Sequence, residues 1–346
     1  MSTPPFRAAG RTRRGVQSRR ELLGRAADAA RVISGAHHSS WNGRLAPMPP
    51  NVGDHIAIAG WDGTLHFDQR EIIEPLQEMF DQRGQEHDVR TLMRYRSALR
   101  AVLHENAHLL MPVGRRIGDP EELAAYHGDA SARALVEGGI DAWTLHNLDR
   151  FIDVLGLEEI APRLKSAPEE VKYPHLAAAA DALAERLGEV SDLGSDDVLR
   201  RLVIEPTDRQ WRVVGGLLYE ASDLPDLHRG QRDAAQAKTW FEDAMRPAFV
   251  VLRDLPDHPK EPRAQVRAAE YGRTIGEQAF RAGAERVAVL EQRYRQSSQM
   301  VVQKALGAVP PLTGVRRPDP DSLGNRASRP PTNAPTRQPP DRGVDG

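Results

Sequence analysis

The run His104-Glu105-Asn106-Ala107-His108 places two imidazoles four residues apart beside a carboxylate, and these side chains can bind a metal ion and move a proton. On a helix, positions i and i+4 share a face. Both rings can therefore converge on one cation while Glu105, next along, points to the water position beside it. The neighbours Ala101, Val102, Leu103, Leu109 and Leu110 are uncharged, which implies a dry wall with no nearby lysine to repel a cation. A catalytic metal wants three protein ligands and one open position. Glu137, 29 residues after His108 in the run Glu137-Gly138-Gly139-Ile140-Asp141, offers the third. If Glu137 binds the metal, Asp141 on the same helical face can accept the free ring N–H of a ligating histidine and fix its tautomer. Asp129, Asp141 and His127 are the other candidates for the third position. The chain has no cysteine, so thiolate ligands, thiolate nucleophiles and disulfides are excluded together.

Two helices must position these groups. Leu92, Met93, Leu99, Val102, Leu103 and Leu110 recur at helical intervals and predict a helix over 88–110, closed by Pro112. A second helix is predicted over 129–155, opened by Asp129 or Ser131 and ended near Gly156. Gly138 and Gly139 cost about 1 kcal/mol each inside a helix relative to alanine, so their presence implies that the two ligand helices pack with their backbones close. Ahead of the metal helix, 55–59 and 64–67 flank Gly60-Trp61-Asp62-Gly63, which reads as a β-hairpin, and 71–83 has helical spacing. Further helices are predicted over 174–187, 196–204, 208–221, 229–252 and 264–306. The last is alanine-rich and charged and reads as a packing or interaction helix.

An H-E-x-x-H helix followed after roughly thirty residues by Glu-x-x-x-Asp resembles the gluzincin group of zinc metallopeptidases, and several bacterial zincin-like peptidase families share the E-G-x-x-[DE] form of the second helix. The metzincin pattern does not fit, because Met111 and Gly114 stand where its glycine and third histidine would fall. The resemblance covers residues 54–150. It implies Zn2+ held by His104, His108 and Glu137, Glu105 as general base, Asp141 as the partner of His104, and hydrolysis of peptide bonds in a peptide or protein substrate. It also implies an edge strand lining the cleft, a part the hairpin could play, and a Tyr or His that stabilises the oxyanion. Tyr173 is the choice for that donor, ahead of His175, Tyr126, His127 and His146.

The expected fold class is α+β, mostly α: a zincin-like catalytic core with a small β-hairpin or sheet, plus a helical C-terminal region. The 346 residues suffice for one large or two modest domains. Four segments are expected: a flexible basic arm over 1–50, the catalytic core over 51–165, a helical region over 166–306, and a disordered Pro-rich tail over 307–346. Within the arm, 18–33 has only a weak apolar face. The arm carries Arg7, Arg11, Arg13, Arg14, Arg19, Arg20 and Arg25 but lacks aromatic interleaving, so nucleic acid is not an expected partner. No apolar run approaches the ~18 residues that span a bilayer, and no secretory signal precedes the folded part, so cytoplasmic residence is the expectation. Two other readings remain: a non-catalytic helical interaction protein with a structural zinc, or a regulatory zincin that cleaves one dedicated partner. Oligomeric state is not legible in the sequence.

Overall fold

In the computed structural model, residues 15–50, 52–53, 55–169, 171–227, 230–255 and 261–307 are described. In chain order they form α1 (Arg19–Ser34), β1 (His38–Ser39), β2 (Leu45–Pro47), β3 (Ala57–Ala59), β4 (Leu65–Phe67), α2 (Glu74–Asp81), α3 (Val89–His108), β5 (Leu110–Met111), α4 (Pro120–Gly128), α5 (Ala130–Leu155), α6 (Pro174–Ser191), α7 (Ser195–Val203), α8 (Thr207–Glu220), α9 (Leu224–Leu227), α10 (Gln231–Val250) and α11 (Pro262–Gly307). The class is α+β and mostly α, with a small sheet and a helical C-terminal region. The chain divides into two units at Ser297, and the described part of the second is the end of α11. No helix among the described residues is long and apolar enough to cross a membrane.

The centre of the larger unit is α5. Asp129 starts it by accepting from the N–H groups of Ser131 and Ala132, and Gly156 ends it in the left-handed conformation at φ 67°. Helices α1, α3, α4, α6, α7, α8 and α10 all pack on α5, and a helix covered on so many sides must be apolar nearly all round. Leu135, Ile140, Trp143, Leu148, Phe151 and Ile152 are buried accordingly, each contributing roughly 1.5–3 kcal/mol. In α3, Asp88 accepts from the Thr91 N–H at the start. The helix stops at His108, earlier than Pro112 would require, because Leu110–Met111 leaves as β5 and pairs antiparallel with β1.

The hairpin forms as the turn residues predict, with Ala57, Ile58 and Ala59 of β3 opposite Phe67, His66 and Leu65 of β4. A third strand extends it: β2 pairs parallel with the other side of β4, which leaves β3 at the edge. Helix α2 is preceded by a wide turn of π type at Gln69–Ile73, where Asp68 accepts from the N–H groups of Arg70 and Glu71.

Two expectations about organisation need correction. Residues 15–50 are not a flexible arm: α1 buries Leu22, Leu23, Ala26, Ala30 and Ile33 against α3 and α5, and β2 completes the sheet. Its face looked weak because alanine carries much of it. Nor does 165/166 separate a core from a helical region, since α5 packs directly on α6, α7, α8 and α10. Arg7, Arg11, Arg13 and Arg14 of the basic arm, and the Pro-rich segment beyond Gly307, lie outside the described residues.

The two adjacent glycines of α5 have different surroundings. A Cβ on Gly138 would run into the carbonyl oxygen of Leu176, whereas one on Gly139 would meet nothing within 4 Å. The close approach is therefore between α5 and α6, not between the two ligand helices. On its other side α6 meets α11 in the same way, with Gly272 against the His175 carbonyl and Gly276 against that of Ala179.

Candidate metal centre

Helix α3 presents Arg96, Arg100, His104 and His108 on one face at four-residue spacing, and α5 answers with Asp149, Asp141 and Glu137. Arg96 pairs with Asp149 at 2.6 Å, Arg100 with Asp141, and the two histidines with Glu137. At the end of this ladder three donor atoms converge. His104 Nε2 and His108 Nε2 are 3.2 Å apart, and Glu137 Oε2 lies 3.6 Å and 3.5 Å from them. These three residues could hold a metal ion. A tetrahedral site with ligand bonds of ~2.1 Å has edges of ~3.4 Å, so the spacing and the nitrogen and oxygen donors both fit such an ion.

The surrounding groups orient the donors. Asp141 Oδ1 lies 3.4 Å from His104 Nδ1, a position that would favour the proton on that nitrogen and the lone pair on Nε2 in a neutral, metal-binding ring. Tyr126, on α4, donates its hydroxyl to Glu137 Oε1 at 2.6 Å and leaves Oε2 for the histidines. Burial, then the Glu137 charge, pushes the Tyr126 hydroxyl far up, so it stays a donor. Burial works against charge on His104, yet hydrogen bonds to Asp141 and Glu137 outweigh it and raise the imidazole to about 9. Burial likewise opposes the Glu137 charge, but His108 and His104 hold it well below the usual range. In the chain by itself, His104 is favoured in the charged form that a bound cation would displace.

Glu105 faces β3. Its Oε2 accepts the Ala59 N–H at 2.7 Å, and no described residue bonds to Oε1. Gly60 donates to the Thr64 carbonyl and Asp68 to that of Ile56, so the inner side of β3 is committed at residues 56, 58 and 60. By the alternation of an antiparallel ladder, Ala57 and Ala59 then turn their backbone groups outward. Both line a cleft of about 880 Å3 that also contains Glu105, His104, His108, Glu137, Tyr126, Lys172 and Tyr173.

Tyr173 is in this cleft, its ring 6.4 Å from the His104 ring. His175 is also there, buried in the first turn of α6, and His127 packs edge-on against Trp61 and Tyr126. His146 is elsewhere, its ring nitrogens directed at Asp181 and Asp196. Asp129 is engaged with Ser131, Ala132 and Arg246, away from the three donors. The expectation of no lysine near the site is corrected by Lys172, which reaches the cleft from the segment before α6. Sequence reasoning also missed the roles of Arg100 and Tyr126. The four-residue spacing from Arg96 to His108 was a signal for the first. Asp119-Pro120-Glu121-Glu122, a helix start with proline in the first turn, was a signal for α4 and so for the second. Compared with protein-family models, curated proteins and solved structures, the chain matches none.

Proposed function

We propose that the protein is a zinc-dependent hydrolase of peptide bonds, a gluzincin-type metallopeptidase with a zincin-like core. The observation that carries this reading is the convergence of His104 Nε2, His108 Nε2 and Glu137 Oε2, with Glu105 alongside and Asp141 behind His104. Zinc suits three nitrogen and oxygen donors with one position open. When bound, it supplies Lewis acidity, which polarises a carbonyl and brings the pKa of water toward ~7.

The chain's own residues do the rest. Glu105 takes the proton of the attacking water; with Oε2 held by Ala59, the proton goes to Oε1. The same carboxyl then returns it to the leaving amine. The outward backbone groups of Ala57 and the Ala59 carbonyl let a peptide add as a further strand beside β3, while the Ala59 N–H stays on Glu105, and this sets the scissile bond across the cleft next to Glu105. Tyr173, against His104, is the hydroxyl expected to donate to the carbonyl oxygen.

Elemental analysis and a fluorogenic peptide library test the reading. The purified chain is expected to hold zinc at about one per molecule and to cut peptides, whereas Glu105→Gln retains zinc and loses on the order of 10²–10⁴ in kcat. Absence of zinc, or full activity in that variant, would remove the proposal.

A further inference from the structure

The cleft contains a cation that the machinery above does not use. Lys172 precedes α6 by two residues, lines the cleft, and is only partly exposed. It forms no ion pair with any described residue. Among the described residues its ammonium meets the neighbouring Tyr173 ring, whose centroid lies 5.4 Å from Nζ. A half-buried ammonium without a carboxylate partner is unfavourable, and a cation–π contact offsets little of that. Burial depresses its basicity foremost, and Arg100 adds to this, while Glu105, Asp141 and Glu137 pull the other way. The acids that act on Lys172 are thus those of the candidate centre, with Glu105 the strongest among them.

The charges of the centre suggest what the ammonium is for. A bound dication and Arg100 would together carry three positive charges, which the carboxylates of Glu137, Asp141 and Glu105 balance. During hydrolysis, water oxygen bonds to the carbonyl carbon, the π pair moves onto the carbonyl oxygen, and the water proton passes to Glu105. Glu105 thereby becomes neutral, and a new negative charge appears on the carbonyl oxygen in the same cleft. The C–N bond then breaks, its electron pair goes to nitrogen, and Glu105 gives the proton to that nitrogen. A cation that shares the cleft with Glu105 and has no ion pair among the described residues matches the charge distribution that exists only after the proton has moved.

We propose that Lys172 is a catalytic residue of this peptidase, its ammonium stabilising the oxyanion alongside the Tyr173 hydroxyl, and that it keeps its proton throughout. The inference rests on the metallopeptidase reading above and assigns a role that reading leaves open.

The test compares the zinc-loaded wild-type chain with Lys172→Met and Lys172→Arg. On the library peptide that the wild type cuts fastest, Lys172→Met is expected to lower kcat about 10²–10³-fold, with KM and zinc content within about twofold and partial recovery in Lys172→Arg. Titration calorimetry with inorganic phosphate, an anion that needs no turnover, supplies an independent readout. Phosphate affinity is expected to fall about tenfold or more in Lys172→Met and to be largely kept in Lys172→Arg. Equal kcat in the wild type and Lys172→Met would overturn this role and leave the peptidase standing. So would a raised KM at unchanged kcat, which marks uniform substrate binding, or loss of zinc from the variant. If the wild type cuts no peptide, the metallopeptidase reading fails and this one with it.

Discussion

Asp141 lies between Arg100 and His104, fully buried, and the two neighbours give it opposite tasks. Burial would raise its carboxyl, but Arg100 foremost and then His104 hold it below the ordinary value, so it stays ionised and can orient the imidazole. Asp141→Asn keeps the shape and removes the charge. Zinc affinity is expected to fall about 10–100-fold, measured by competition with a chromophoric chelator. Unchanged affinity would show that His104 needs no such partner. The donor set was legible in the sequence because i, i+4 spacing on a helix is local: His104 with His108, and Glu137 with Asp141, share faces whatever the fold. What was not legible arrives through packing. The Ala59 N–H and the Tyr126 hydroxyl come from other elements, 46 and 11 residues from their partners Glu105 and Glu137, and Lys172 enters the cleft from the segment before α6.

Among elements, α5 illustrates how one sequence signal can have two meanings. Gly138 and Gly139 both lower helix propensity, yet only Gly138 lies against a backbone carbonyl. Gly138→Ala must push α6 away and is expected to destabilise by about 2 kcal/mol, an overpacking loss larger than the propensity gain. Gly139→Ala has open space and is expected to stabilise by up to about 1 kcal/mol. Urea unfolding of the two variants checks the opposite signs, and a shared sign would contradict the packing described. Long periodic helices such as α3, α5, α8 and α11 were readable to within a few residues. The strands β1, β2 and β5 have two or three residues each, too few for any period, and their pairing is set by distant segments.

The larger unit has one core running from α1 into the first part of α11, and neither the boundary expected at 50/51 nor the one at 165/166 divides it. Ties between distant helices therefore affect global stability. His146 on α5 reaches Asp181 on α6 and Asp196 on α7, and these bonds raise its pKa from 6.5 to about 9, the one to Asp181 foremost. A raised folded value means that the contribution is full below pH 6.5 and disappears as pH rises through 9. His146→Gln is expected to lower unfolding free energy at pH 6, by under about 1 kcal/mol given solvent screening, and to change nothing at pH 10. Denaturant titrations at the two pH values decide it; an equal loss at both would mean that charge is not involved.

The glycine contacts around α6 also bear on engineering. The Leu176 carbonyl abuts α5 and the His175 carbonyl abuts α11, so the turn that begins with Tyr173 is gripped from both flanks by main chain. Main chain makes that contact, so trimming a side chain of the turn does not shift its backbone. Substitutions at Ile58 or Trp61, which line the cleft from the sheet and its turn, should change the room in it without disturbing the gripped backbone.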